Sequence, residues 1–315
     1  MLSIIKKSVC ALFVLASFVA AYPNPGTVTG DIDGVHDPSM CVVDGTYYLY
    51  GTGIGLPIRT STDRTAWVAA GSIFPSGAPS ETDTYTGTSG TASSLWAPDC
   101  TYYEGTFYVY YAASSFGSEV SGIFLVSSTN GLTGWSDHGL VTASTTSSGY
   151  NAIDPHLIIV SGSWYLSLGS WWSGIKLFSI SSSTGKPSST SYTSLSERTA
   201  DGGAEEASWI YATGGYYYLF TSFDICCDGT ASTYNIRVTR STSLTGPYVD
   251  EAGVTALNGG GTEILGTHGT IYGPGGQSLL LDGDEVVLVY HYYSATTSIL
   301  GINLLTFATG WPVVY

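Results

Sequence analysis

The sequence predicts an all-β protein folded as a five-bladed β-propeller, because its composition disfavours helices and a hairpin pattern recurs five times. Charged residues make up 10% of the chain, which instead contains 40 glycines and 24 tyrosines. Helices favour the unbranched charged side chains that are scarce here, and strands favour aromatic and β-branched ones. With 43% hydrophobic residues, the chain can build a core, which argues against a disordered protein.

The recurring unit is a glycine-containing turn followed by an aromatic-rich strand. Its copies are VDGTYYLYGT (43–52), YEGTFYVYYA (103–112), VSGSWYLSLG (160–169), ATGGYYYLFT (212–221) and LDGDEVVLVY (281–290). Aligned on Gly45, Gly105, Gly162, Gly214 and Gly283, the copies lie 60, 57, 52 and 69 residues apart. Further predicted strands follow each hairpin, so a unit holds about four strands, the size of a propeller blade. A β-sandwich with chance hairpin similarity is the alternative.

The first 21 residues are typical of a secretory signal peptide. Lys6 and Lys7 precede a mostly apolar stretch, and Val19-Ala20-Ala21 offers the small residues of a cleavage site. The apolar stretch is shorter than the ~20 residues that a membrane span requires. We therefore predict a secreted, extracellular protein whose residues 22–315 form the propeller domain.

The charge balance excludes polyanionic partners. The chain has 9 Lys and Arg against 24 Asp and Glu, a formal net charge of −15, and losing Lys6 and Lys7 takes this to −17. Nucleic acids and anionic membranes both require clustered basic residues. We therefore expect no nucleic-acid or membrane partner.

Four cysteines follow the predicted signal peptide, and export permits disulfides. They are Cys41, Cys100, Cys226 and Cys227, in a spacing that matches no zinc pattern. Either Cys226 and Cys227 bond to each other, which leaves Cys41 to pair with Cys100, or both pair outward. The sequence leaves both pairings open.

The repeat alignment places acidic residues at one structural position. Eight residues before the repeat glycines stand Asp37, Ala97, Asp154, Glu206 and Gly275. This position begins the first strand of each blade, and the first strands of a propeller line its central channel. We therefore predict that three carboxylates face one another at one mouth of the channel. For a single Asp-Pro pair, the competing interpretation is that the aspartate lies in a turn and accepts backbone hydrogen bonds.

Converging carboxylates repel one another, so a protein that keeps them usually employs them. Two suffice for glycoside hydrolysis: one protonates the leaving oxygen, and the other activates water or attacks the sugar. A third can hold the acid in its protonated form. Glu205 lies one residue out of register and should face the other way. The chain contains no G-x-S-x-G motif of a serine hydrolase.

Four blocks of sequence resemble the signature blocks of glycoside hydrolase family 43, in the family's order. They are VHDPS (35–39), LWAPD (95–99), NAIDPH (151–156) and AEEASWI (204–210). The resemblance extends from about Gly30 to the C-terminus and implies a five-bladed propeller that inverts the anomeric centre. It further implies that Asp37 is the general base, Glu206 the general acid, and Asp154 the acid that raises the pKa of Glu206.

Five further residues are candidates for contact with the sugar. His36 could hydrogen-bond it in the cleaving subsite, and Trp96 could stack on the neighbouring unit. Phe116, Asn151 and Trp171 are candidate walls of a groove. Packing within or between blades is the competing interpretation for each.

The family also implies a metal ion, calcium or another, in the central pore. Its members often carry the histidine ligand in a G-P-G-H block, whereas this chain reads GPGG, with Gly276 in place of the histidine. His268 is the remaining candidate ligand. Because a lone histidine is a poor metal site, a buried, hydrogen-bonded His268 is the alternative.

The nearest family members imply an enzyme that cuts internal bonds of α-1,5-linked arabinan, a neutral side chain of pectin. We expect it to be a monomer. A strongly negative protein suits a neutral polymer better than an acidic one. The alternatives are an exo-acting arabinofuranosidase or β-xylosidase of the same family, and a sugar-binding propeller without activity. The last would repeat its site residues in every blade, whereas only three blades carry the acids.

Overall fold

Strands arranged in five sheets make up most of the computed structural model, which describes residues 22–315. The predicted signal peptide, residues 1–21, lies outside the described residues. The first six strands are β1 (Thr29–Gly30), β2 (Ser39–Val43), β3 (Thr46–Tyr50), β4 (Gly53–Ile54), β5 (Pro57–Ser61) and β6 (Ala66–Ser72). The next four are β7 (Ser94–Tyr103), β8 (Thr106–Ala113), β9 (Ser121–Ser128) and β10 (Ser136–Ser144).

Three sets of four strands complete the chain. They are β11 (His156–Val160), β12 (Ser163–Leu168), β13 (Ile175–Ser181) and β14 (Lys186–Ser196), then β15 (Glu205–Thr213), β16 (Tyr216–Phe223), β17 (Asn235–Ser241) and β18 (Thr262–Leu265), then β19 (Tyr272–Asp282), β20 (Glu285–Tyr293), β21 (Ser298–Thr306) and β22 (Val313–Val314). The helices of the described range are one α-helix, α1 (Asp83–Thr86), and the 3₁₀ helices Ser80–Thr82, Asp201–Gly203, Gly229–Ala231 and Ala256–Asn258. None is long and apolar enough to cross a membrane.

Each sheet is one blade, and the five blades form a closed ring. The strand orders are β1-β6-β5-β3-β2, β10-β9-β8-β7-β4, β11-β12-β13-β14, β15-β16-β17-β18 and β19-β20-β21-β22. Each repeated hairpin begins with the inner strand of its blade, which is β2, β7, β11, β15 or β19. Each inner strand packs on the next, and β19 packs on β2. The predicted five-bladed propeller is confirmed.

The hydrophobic core consists of five clusters, one between each pair of neighbouring blades. Between blades 1 and 2, for example, Tyr50 packs with Val109, and between blades 5 and 1, Val289 packs with Trp67. The other clusters fill the remaining three interfaces. A single blade leaves apolar faces uncovered, so only the stack of blades removes them from water.

The N-terminal segment links the first and last blades. Gly26 donates its amide to Ile302, and Leu300 of blade 5 donates to Ile32. Between these contacts, β1 pairs in parallel with β6 at the outer edge of blade 1. The segment therefore closes the ring.

The tight turns correct our repeat alignment by one residue in two blades. In blades 1 to 3, the second residue of the turn is the repeat glycine, and both turn residues have positive φ, as in the twisted hairpin turns that glycine favours. In blade 4 the turn is Gly214-Gly215, and in blade 5, between β19 and β20, it is Gly283-Asp284. The equivalents of Gly45 are therefore Gly215 and Asp284.

The corrected register moves the equivalent of Asp37 from Glu206 to Ala207 and from Gly275 to Gly276. The five equivalent residues share a left-handed backbone: Asp37, Ala97, Asp154, Ala207 and Gly276 have φ of 44°, 41°, 55°, 54° and 58°. In blades 2, 4 and 5 this residue lies in a β-bulge of the inner hairpin. Glu206 thus precedes the repeated position by one residue.

Disulfides join Cys41 to Cys100 and Cys226 to Cys227, the first of the two pairings that the sequence left open. The Cys41–Cys100 bond ties β2 of blade 1 to β7 of blade 2. Its two cysteines are 59 residues apart in the sequence, so the bond reduces the conformational entropy of the unfolded chain.

Replacing both Cys41 and Cys100 by alanine is expected to lower the free energy of unfolding by about 2–4 kcal/mol, because the unfolded chain regains the entropy that the bond removes. Urea unfolding monitored by tryptophan fluorescence measures the change. The matched control replaces Cys226 and Cys227, whose bond closes no loop. Equal losses in the two double variants would contradict the loop-entropy explanation.

Candidate active site

The site lies at the mouth of the central channel, where the inner strands begin. The second strand of each blade runs back to this same end, so the loops that follow β3, β8, β12, β16 and β20 surround the mouth. The channel is lined from every blade, by Asp37, Pro38, Ser39, Ala97, Pro98, Asp154, Pro155, Ala207, Ser208, Trp209, Gly276, Gln277 and Ser278.

Asp37, at the start of blade 1, is held by three neighbours. His36 Nδ1 lies 2.8 Å from its Oδ2, and the Thr52 hydroxyl donates to the same oxygen at 2.6 Å. Its backbone amide donates to His291 Nδ1 at 3.1 Å. Burial tends to raise the pKa of Asp37, but His36 and the Thr52 hydroxyl outweigh it and hold that pKa well below its usual range. Asp37 is therefore ionised.

Glu206, on β15 of blade 4, accepts hydrogen bonds on both carboxylate oxygens. Ser170 donates to Oε2 at 2.6 Å, and Tyr234 donates to Oε1 at 2.7 Å. Burial raises the pKa of Glu206 above its usual value, and the charge of Asp37 adds to this, although both hydroxyls oppose it. The environment thus favours a protonated Glu206 opposite an ionised Asp37.

Asp154, at the start of blade 3, lies close enough to both acids for their charges to interact. The amide of Ala207 donates to its Oδ2 at 3.0 Å. Burial raises the pKa of Asp154 well above its usual range, and the charges of Glu206 and Asp37 raise it further. The repulsion between Asp154 and Glu206 is mutual, so the two titrate as a pair that retains a proton more readily than either acid alone.

Blade 5 contributes space to the site instead of a carboxylate. A Cβ atom on Gly276 would lie 2.5 Å from Oδ1 of Asp37, and a Cβ on Gly275 would lie 2.0 Å from the Tyr234 ring. Both distances are shorter than any real contact of that kind. Glycine at these two positions therefore lets Asp37 and Tyr234 reach the channel.

Glu205 faces away from the channel, as its position beside Glu206 predicts. It is fully buried, and Ser196 donates to its Oε1 at 2.5 Å. Burial raises its pKa to about 7, against hydrogen bonds from Ser196 and Thr221. Its backbone carbonyl accepts the amide of Trp171, so Glu205 supports the loop that carries Ser170.

The predicted sugar contacts lie in different settings. His36 and Trp96 directly precede the channel residues Asp37 and Ala97, and Phe116 lies in the loop after β8 with 83% of its surface exposed. Trp171, in the loop after β12, has a left-handed backbone and lies against Gly202. Asn151 differs, because it is buried and accepts a hydrogen bond from Ser121 at 2.6 Å. That contact links the segment before β11 to blade 2, and a sugar contact of Asn151 stays a prediction.

The described residues do not form a preorganised metal centre at the acids. Within residues 22–315, His36, Asp37 and His291 are close enough to share an ion. The four ring nitrogens of the two histidines, however, already engage Asp37 and Tyr293. His268 contacts Gly266 and Tyr22, and its Nε2 is buried without a hydrogen-bond partner in the described range. It offers one ligand at most, and a metal at His268 stays a prediction.

Sequence reasoning missed the residues that orient the acids. Thr52, Ser170 and Tyr234 lie in or beside the loops after the second strands, and His291 and Tyr293 lie on β20. Serine, threonine and tyrosine are common throughout this chain, so nothing in the sequence distinguishes them. The repeat alignment could have pointed to these loops, because they lie at the mouth in every blade.

Comparison with known proteins extends these observations. The extracellular endo-α-(1→5)-L-arabinanase 1 of Bacillus subtilis is 42% identical over 94% of this chain and 92% of its own length. The structure of a GH43 endo-arabinanase from Bacillus licheniformis is 44% identical and superposes with a TM-score of 0.84, over 91% of this chain and 99% of that one.

An exo-1,5-α-L-arabinanase from a bovine ruminal metagenomic library is also similar. It is 33% identical, with a TM-score of 0.85, over 92% of this chain and 99% of that one. The model of the glycosyl hydrolases family 43 matches residues 32–312, which include Asp37, Asp154 and Glu206. The resemblance seen in four short blocks thus extends over the whole propeller, and the chain belongs to glycosyl hydrolases family 43.

Proposed function

We propose that the chain is a secreted arabinanase that hydrolyses internal α-1,5-L-arabinofuranosidic bonds with inversion. The observation that carries the proposal is the opposite tuning of two acids at one channel mouth: the pKa of Asp37 is lowered and that of Glu206 is raised. Opposed pKa values of this kind separate a general base from a general acid. The similar endo-arabinanases support arabinan as the substrate.

In the proposed reaction, Asp37 accepts a proton from the water that attacks the anomeric carbon. Glu206 gives its proton to the oxygen of the departing sugar, so the leaving group departs as a neutral alcohol. His36 and Thr52 hold the Asp37 carboxylate, and Ser170 and Tyr234 hold Glu206. Asp154 and Glu206 repel each other when both are ionised, so the pair retains a proton that Glu206 can deliver.

Replacing Asp154 by asparagine is expected to move the basic limb of the pH–rate profile to lower pH. That limb reports the deprotonation of the general acid, and the neutral amide no longer repels the Glu206 carboxylate. Asparagine still offers an oxygen to the Ala207 amide, so the fold should be kept. The dependence of kcat/KM on pH checks this, and an unmoved basic limb would remove Asp154 from the tuning of Glu206.

The test of the function is the product pattern on linear, debranched arabinan over time. Internal cleavage releases mixed oligosaccharides and lowers viscosity early, whereas cleavage from chain ends releases one small product. The similarity to an exo-arabinanase makes exo action the second candidate, and the same assay separates the two. Binding without release of reducing ends would favour a sugar-binding propeller instead.

The extracellular setting is part of the proposal. The similar Bacillus subtilis protein is named extracellular, and disulfides form in oxidising compartments. N-terminal sequencing of the exported protein would test the predicted cleavage after Ala21. An export-competent chain that starts at Met1 would contradict the predicted signal peptide.

A further inference from the structure

Tyr293 lies at the centre of a hydrogen-bond network behind Asp37. Its hydroxyl lies 2.8 Å from His36 Nε2 and 3.1 Å from His291 Nε2, and the amide of Cys227 donates to it at 2.9 Å. The rings of His36 and His291 stack with centroids 3.8 Å apart. Tyr293 therefore contacts both histidines that touch Asp37.

The backbone of Asp37 determines where His291 carries its proton. Its N–H can only donate, so His291 Nδ1 must accept and is unprotonated. Burial lowers the pKa of His291 well below its usual value, so the ring is neutral. The single proton of His291 is therefore on Nε2, from which it is donated to the Tyr293 hydroxyl.

The contacts of the Tyr293 hydroxyl determine which nitrogen of His36 carries the proton. The Tyr293 oxygen already receives N–H groups from His291 and Cys227, so its own hydrogen is left for His36 Nε2. The sulfur of Cys227 lies 3.7 Å from this nitrogen and carries no proton, because it is in a disulfide. His36 Nε2 thus accepts, and its Nδ1 donates to Asp37.

We propose that Tyr293 is a positioning residue that holds His36 in the Nδ1–H tautomer, and so keeps a hydrogen-bond donor aimed at the Asp37 carboxylate. Burial lowers the pKa of His36, but the charge of Asp37 outweighs it and raises that pKa above its usual value, which favours a second proton. The Tyr293 hydroxyl opposes it, because a proton on Nε2 would meet an oxygen that already accepts two hydrogen bonds. The part of the proposal that concerns catalysis rests on Asp37 as the base.

The vicinal disulfide holds the third partner of Tyr293. Cys227 has a left-handed backbone, at φ 68°, and its amide is directed at the Tyr293 oxygen. The bond to Cys226 restricts this peptide, which lies in an exposed loop. The geometry thus gives the Cys226–Cys227 bond a role in the site that loop closure does not explain.

Replacing Tyr293 by phenylalanine is the direct test, with Tyr292→Phe as the matched control on the same strand. Without the hydroxyl, His36 can carry its proton on Nε2 or take a second one. A proton on Nε2 alone removes the N–H donor from Asp37 and raises its pKa, so the acid limb of the kcat/KM profile should move to higher pH. A second proton would keep that donor and move the limb to lower pH. The titratable groups that face Asp37 in this profile are His36, His291, Tyr293, Glu206, Asp154 and Tyr234.

Nitrogen NMR of ¹⁵N-histidine-labelled protein provides a readout that does not depend on activity. We expect one His36 Nδ1–H tautomer in the unmodified protein and in Tyr292→Phe, and a titrating or mixed ring in Tyr293→Phe. A Cys226→Ser, Cys227→Ser double variant should shift the acid limb in the same direction by a smaller amount. No shift in the double variant would overturn the role given to the disulfide.

An unchanged His36 signal in a folded Tyr293→Phe protein would overturn the proposal. A changed signal with an unmoved acid limb would instead support the tautomer control and count against Asp37 as the base. The two results therefore distinguish a failure of this inference from a failure of the proposed function.

Discussion

Replacing Glu206 by glutamine is expected to lower kcat on arabinan by about 10³-fold to 10⁴-fold while the protein still binds the polymer. A positioned general acid contributes about this much, and its proton is needed mainly in the transition state. Glutamine has the same shape: its oxygen can accept from Tyr234, and its amide can donate to Ser170. The variant therefore removes the proton and little else.

A control variant and a second substrate make this test specific to the proton of Glu206. Glu205→Gln changes the adjacent acid, which is buried away from the channel, and should retain most of the activity. An arabino-oligosaccharide with an aryl leaving group needs little protonation, so Glu206→Gln should lose much less activity on it than on arabinan. Equal losses on both substrates would contradict the role of Glu206 as general acid.

Replacing Asp37 by alanine is expected to lower kcat by about 10³-fold, because the carboxylate proposed to accept the proton of the attacking water is then missing. The alanine leaves a space against Gly276, which carries no side chain to fill it. The loss of the carboxylate also leaves the hydroxyl of Thr52 and Nδ1 of His36 without their partner. The kcat on arabinan measures the loss, with exposed Asp33→Ala as the control.

Azide distinguishes a lost base from a damaged site. The anion carries no proton, so it can attack the anomeric carbon of an aryl substrate from the vacated position without a base. Added azide should therefore raise the rate of Asp37→Ala and yield a glycosyl azide of inverted configuration, while aryloxide departs. A product of retained configuration, or no azide product from a folded protein, would contradict the proposed role of Asp37.

The propeller could be predicted because each copy of its repeat is recognisable from neighbouring residues alone. Turns that need glycine and strands that need aromatic residues recur five times, and each copy predicts its hairpin independently of the others. Asp37 and Asp154 followed directly, because blades 1 and 3 have a single glycine in the turn and the register is unambiguous. These residues were placed correctly at the channel mouth.

Glu206 was brought to the site by an alignment that was one residue out. Blade 4 has two adjacent glycines, Gly214 and Gly215, and either could serve as the reference. The structure selects Gly215, so Ala207 occupies the repeated position and Glu206 precedes it. A β-bulge between Glu206 and Trp209 reconciles the extra residue with the strand pairing, and a bulge has no clear signal in sequence.

Local sequence by itself determined the blade count, the channel mouth and the identity of the acids that meet there, because hairpins and strand starts depend on neighbouring residues. Only the tertiary structure decided how readily each acid holds a proton, because its pKa depends on groups from other blades. Tyr293 contacts His36 across 257 residues of chain, and Ser170 contacts Glu206 across 36. Closing the ring brings the Ser170 hydroxyl to Glu206, and the Tyr293 hydroxyl to the histidine that contacts Asp37.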